Sequence, residues 1–225
     1  WERPLYDLAV GENVKAQNQW LREVAAETLS KLPPVLPSLT GTVLNTDAHV
    51  FLLLYGSKSQ HFPGRLEADV ERALQKLCFT ALDITKVDSK PRYLPKTTEH
   101  LRKLLALDES LSILEMSNGP MRSDANQYLI LQVLKDDPAY ANRKFKTGDT
   151  VSERYAAFTD FLRRGLKSLA LHGMWAELVS SNYEHKTYRG LLALIDYATD
   201  PVVAARARMF MDLAMVEIEQ ISLSG

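Results

Sequence analysis

One stretch of this chain gathers most of its chemically capable side chains: His172-Gly173-Met174-Trp175-Ala176-Glu177-Leu178-Val179-Ser180-Ser181-Asn182-Tyr183-Glu184-His185, followed closely by Arg189. Aromatic, amide, carboxylate and imidazole groups fall there between two helical patterns, in the kind of connecting segment where scaffolded function commonly resides. Trp175 and Tyr183 can stack on a sugar ring. Asn182, His185 and Arg189 can bind a carboxylate or hydroxyl groups, and Glu177 adds a carboxylate of its own. The structural alternative is that Trp175 and Tyr183 plug the core while Asn182 and Glu177 hold the backbone of the connection. A second polar stretch, Ser117-Asn118-Gly119-Pro120, also reads two ways: as a turn and helix start, or as a second contributor to a site.

No sharper signature competes with these. The sequence has no phosphate-binding loop, Gly-rich dinucleotide turn, His-Glu-x-x-His helix or Gly-x-Ser-x-Gly elbow. His49, His61 and His100 are far apart in sequence, which favours surface or locally hydrogen-bonded roles over metal ligation. Neither a metal nor a cofactor is therefore expected. The single cysteine, Cys78, cannot form a disulfide or zinc cluster within one chain, and it reads as a buried, inert thiol. With 27 basic and 28 acidic residues the formal charge is -1, so there is no basic excess to hold nucleic acid. The apolar runs at 50–55 and 191–195 are far shorter than the ~20 residues a membrane-spanning helix needs. Trp1-Glu2-Arg3-Pro4 is not followed by the apolar stretch of a secretory signal and carries no initiator Met, so a processed or trimmed product is expected.

The elements that must position these groups follow from hydrophobic spacing. Val14, Trp20, Leu21, Val24, Ala25 and Leu29 predict an amphipathic helix over 12–32, ended by Pro33-Pro34. A Pro-containing linker at 35–41 then separates an N-terminal part, 1–41, from a helical domain, 42–225. Asp47 suits the cap of a short apolar helix through Leu54, and Leu66, Val70, Ala73, Leu74, Leu77 and Cys78 mark another helix. Thr97 or Thr98 opens a helix carrying Leu101, Leu104 and Leu105. Pro120 suits the first turn of a helix running to Lys135, where Asp136-Asp137-Pro138 stops it. Thr150-Val151-Ser152-Glu153 has capping-box form, with Tyr155, Phe158, Phe161, Leu162, Leu166 and Leu169 beyond it and Gly173 past the end. After an irregular stretch, 187–198 forms a helix. Asp200-Pro201 starts the last one, with Val203, Met209, Phe210, Leu213, Val216 and Ile218 expected on its inner face. No segment alternates like a strand, and the short links favour antiparallel neighbours, so the expected fold is all-α, built of antiparallel helix pairs.

The run from Gly173 to Asp200, with Trp175, Glu177, Ser181, Asn182, Tyr183 and then Leu191-Leu192-Ala193-Leu194-Ile195-Asp196-Tyr197-Ala198, resembles a group of large, mostly bacterial proteins. Their helical core is similar to the (α/α) toroids of polysaccharide lyases and some glycoside hydrolases. The likeness extends more loosely back to about residue 45, through Asn126-Gln127-Tyr128-Leu129 and Thr147-Gly148-Asp149-Thr150. The resemblance implies that the helix pairs are part or whole of a toroid. It implies a polysaccharide or oligosaccharide partner of acidic character, attacked by lyase-type elimination or hydrolysis, and an extracellular or periplasmic setting. By analogy with toroidal lyases, Asn118 or Asn182 with Arg189 would neutralise a uronate carboxylate, and Tyr183 and His185 would serve as base and acid. Trp175 and Glu177 would complete the substrate-binding set. A toroid of 225 residues is incomplete, so the chain is expected to be one portion of a larger polypeptide.

One departure bears on activity. Where the group carries Glu-Asn-His just before the helix that here begins near Pro120, this chain has Ser117-Asn118-Gly119. The asparagine matches, but the glutamate and histidine are replaced. That replacement motivates the alternative reading, a non-catalytic helical scaffold or binding module that has lost the catalytic residues of its relatives.

Overall fold

The computed structural model describes residues 2–31, 48–85, 95–106, 118–172 and 181–223, and over these its regular structure is helical, with no β-strand. The described helices are α1 (Glu2–Val10), α2 (Val14–Ser30), α3 (Ala48–Tyr55), α4 (Ala68–Leu82), α5 (Thr98–Ala106), α6 (Asn118–Lys135), α7 (Val151–His172), α8 (Ser181–Tyr197) and α9 (Pro201–Leu223). They fall into two units. The first comprises Trp1–Pro95 with Asp136–Gly148, and the second Lys96–Lys135 with Asp149–Gly225.

In the first unit α2 buries Asn18, Leu21 and Ala25, and α4 buries Val70, Leu74, Leu77, Cys78 and Ala81. Both sets follow three-to-four spacing, so each helix turns one apolar stripe toward the other, and the two helices pack together. Asn18 is fully buried yet satisfied. Its amide donates to the Val14 and Arg65 carbonyls at 2.9 Å each, and its oxygen accepts the Glu67 N–H at 2.7 Å. It thereby fixes the chain leading into α4. Phe51 and Tyr55 of α3 complete the core, with the Tyr55 hydroxyl donating to the Leu5 carbonyl at 2.6 Å. Truncating a side chain such as Phe51 would cost about 3–5 kcal/mol.

The segment 136–148 joins this unit through aromatic contacts. Phe145 stacks on Phe79 with centroids 4.8 Å apart, and the Arg143 guanidinium lies 4.3 Å from the centre of the same ring. Helix α1 was not expected from the sequence. Gly11 (φ 81°) and Asn13 (φ 50°) sharply separate it from α2, because both hold left-handed backbone that ends one helix before the next begins. Cys78 is buried as expected, and burial pushes its thiol up to about 12.

In the second unit the capping box forms as read: the Glu153 carboxylate accepts the Thr150 N–H at 2.7 Å, and the Thr150 hydroxyl accepts the Glu153 N–H at 3.2 Å. Beyond it α7 buries Val151, Phe158, Phe161, Leu162, Leu166 and Leu169 along one face. Asp200 caps α9, accepting the Val202 and Val203 N–H groups at 3.1 and 2.9 Å.

Two expectations need correcting. First, α8 begins at Ser181, so Asn182, Tyr183 and His185 lie on a helix and not in an irregular connection. Their modest helix propensities hid this, and tertiary contacts outweigh such preferences. Second, the inner face of α9 is Val203, Ala207, Phe210 and Ala214, whereas Met209, Leu213 and Val216 are 64%, 44% and 52% exposed. Small alanines occupy the positions facing the core and turn the larger residues outward. Ile218, the remaining residue expected inside, has its side chain outside the described residues, as is Asp47, the expected cap of α3.

Candidate functional site

Helices α6 and α8 define the candidate site. Gly190 approaches α6 so closely that a Cβ built on it would lie 3.1 Å from the Arg122 Cα and 3.1 Å from the Met121 carbonyl oxygen. Further along, the Gln132 amide donates to the Tyr197 carbonyl at 2.8 Å, and its oxygen accepts the Thr199 N–H at 2.9 Å and the Thr199 hydroxyl at 3.0 Å. Residue 122 thus meets residue 190, and 132 meets 197–199. The two helices therefore run in the same direction, and their N-terminal ends lie side by side.

A rise of about 1.5 Å per residue brings Asn118, at the start of α6, level with the first turns of α8 that carry Asn182, Tyr183 and His185. Arg189 is exposed one position before the close approach. The backbone positions of these five residues share one end of a parallel helix pair. Trp175 and Glu177 lie outside the described residues, as do the side chains of Asn118, Asn182, Tyr183 and His185. Arg122 of α6, beside Gly190, was missed by sequence reasoning. Only the parallel register reveals it.

Two parallel helix N-termini concentrate partial positive charge, about half an elementary charge each, in one place. A carboxylate or other anion is the natural complement, and Arg122 and Arg189 add formal charge at the next level.

Beneath this end lies a buried polar network that the sequence did not announce. The Lys96 ammonium meets both oxygens of Asp124 at 2.7 Å, and the Lys96 backbone N–H donates to Gln127 at 2.8 Å. Asp149 accepts the Thr98 hydroxyl at 2.6 Å and a two-pronged contact from Arg154 at 2.8 Å. These bonds tie the start of α5 to α6 and α7, and they commit both carboxylates to neighbouring cations. A base that must release a proton-accepting lone pair to substrate is poorly supplied by such groups. The Tyr128 and Tyr155 hydroxyls pair at 3.1 Å; burial first, then that bond, raises the Tyr128 phenol above its ordinary range. It stays protonated at neutral pH, and the hydroxyl pair links α6 to α7.

Among the described residues no three His, Cys, Asp or Glu side chains come together to hold a metal ion, and no helix is long and apolar enough to cross a membrane. The first unit holds an open cavity of about 580 Å³ beside the start of α2, lined by Lys15, Gln19, Arg22 and Glu67 among others. None of the candidate site residues lines it, and Arg22 there is already paired with Glu67 and Asp69. Comparison with protein-family models, curated proteins and solved structures finds no match.

Proposed function

We propose that this chain is the helical, toroid-like part of a carbohydrate-active protein that acts on an acidic polysaccharide, by lyase-type elimination or by hydrolysis. One observation carries the reading: the parallel register of α6 and α8, with Asn118 level with the turns bearing Asn182, Tyr183 and His185. It is supported by the resemblance of 173–200 to toroidal proteins. The packing of α6 on both α7 and α8, and of α9 on both α7 and α8, also suits helix pairs arranged in two layers.

The chemistry is definite. Elimination removes the proton alpha to a uronate carboxylate, breaks the glycosidic C–O bond at the beta carbon, and leaves a carbon–carbon double bond. The carboxylate must first be neutralised, a task for Asn118 or Asn182 with Arg189 aided by the two helix ends. Tyr183 and His185 would take the proton and return one to the departing oxygen. A panel of uronic-acid polysaccharides tests this, with Tyr183→Phe and His185→Gln measured beside the parent chain. Unsaturated product that disappears in both variants supports elimination, whereas new reducing ends without unsaturation support hydrolysis. Turnover that survives the double variant rules these residues out.

The commitment of Asp124 and Asp149 to cations, with the Ser117 and Gly119 replacements, favours a second reading, a non-catalytic scaffold or binding module. It predicts saturable binding of the same polymers with no product.

A further inference from the structure

Helix α9 presents a second apolar face to solvent. Val202, Met209, Leu213 and Val216 are 36%, 64%, 44% and 52% exposed, and at about 100° per residue they form one stripe about a third of a turn round from the buried Val203, Ala207, Phe210 and Ala214. Exposed Arg208, Asp212 and Glu219 run along one flank of that stripe. Neither Arg208 nor Asp212 has an ion-pair partner among the described residues, although their i,i+4 spacing would allow them to pair with each other.

We infer that this face binds a second copy of the chain, with the two α9 helices packed antiparallel about a two-fold axis near residue 210. The charge pattern selects that occupant and orientation. A two-fold axis there sets Arg208 of one copy against Asp212 of the other, and the reciprocal pair forms by symmetry. The same axis brings Glu219 of each copy to the first turn of its partner's α9. Asp200 already caps that turn, so the reciprocal Arg208–Asp212 pairs decide the orientation. A parallel arrangement would align Arg208 with Arg208 and Asp212 with Asp212. Met209 and Leu213 flank the axis and supply the apolar centre, with the adaptable thioether of Met209 filling the contact. One helix pair buries less than the ~800 Å² per partner of a standard interface, so association in the micromolar range is expected.

Sedimentation equilibrium of the full chain over a concentration series tests the inference. The parent chain should pass from monomer to dimer, and Leu213→Glu should remain monomer with unchanged helicity, because the side chain is exposed in the monomer. Arg208→Glu and Asp212→Arg should each weaken association roughly tenfold by opposing like charges, and the double exchange should restore it. A chain that stays monomeric to its solubility limit overturns the proposal and leaves the stripe to another occupant. A dimer indifferent to Leu213→Glu overturns the α9 interface, and single and double exchanges that behave alike overturn the antiparallel register.

Discussion

Lys96 and Asp124 form an almost completely buried ion pair, their side chains 11% and 1% exposed and the ammonium 2.7 Å from both carboxylate oxygens. The pair anchors the start of α5 on α6, the helix that carries one half of the candidate site. Removing one partner leaves the other charge stranded in a poorly solvated place, whereas removing both leaves an apolar gap that can repack. Asp124→Ala and Lys96→Met should therefore each cost about 3–5 kcal/mol. The double variant Lys96→Met with Asp124→Leu should cost much less than their sum. Urea unfolding measures all three, and additive losses would show that the pair is not a coupled unit.

Gly190 makes a second prediction about the same helix. Glycine to alanine within a helix ordinarily gains about 1 kcal/mol. Here the added methyl meets the Arg122 Cα and the Met121 carbonyl at 3.1 Å, and the Arg122 nitrogen at 3.2 Å. All three are helix backbone and cannot swing aside as a side chain would. The clash should outweigh the propensity gain, so Gly190→Ala lowers stability by about 1–2 kcal/mol overall and Gly190→Val by more. A thermal midpoint that rises in the alanine variant would show that α6 and α8 are not in this close contact.

Asp200 ties acid stability to the start of α9. Burial alone would raise its carboxyl, but the Arg163 guanidinium and the Val203 and Val202 N–H groups outweigh burial and hold it below its ordinary 3.8. Because the folded value is depressed, the stabilisation is complete above 3.8 and is lost as pH falls through the folded value. Asp200→Asn keeps a capping side chain but removes the charge. Its stability should trail the parent near neutrality and converge with it in strong acid. Parallel pH profiles down to full protonation would contradict the assignment.

How much of this was readable in advance depended on the kind of signal. Thr150 and Glu153 announced their helix because a capping box is local: both partners lie within one turn. The spacing of Val70, Leu74, Leu77 and Cys78 was equally legible. In contrast, the parallel pairing of α6 and α8 rests on Gly190, whose role depends on a backbone nearly seventy positions away in the chain. Nothing local to Lys96 or Asp124 identifies a buried ion pair, because the partners lie far apart in the chain. Met209 and Leu213 misled the reading of α9 since periodicity shows a stripe but not which stripe faces inward. The membership of 136–148 in the first unit rests on contacts such as Phe145 with Phe79, which sequence order conceals.

The central claim is that the shared N-terminal end of α6 and α8 works on acidic polysaccharide, and direct turnover measurement tests it most sharply. The intact chain is incubated with a panel of uronic-acid polymers while the absorbance of unsaturated uronate and the appearance of reducing ends are followed. The account predicts product from at least one polymer, abolished in the Tyr183→Phe, His185→Gln double variant with the fold unchanged. Undiminished turnover in that variant, or neither turnover nor binding on any polymer, would contradict it.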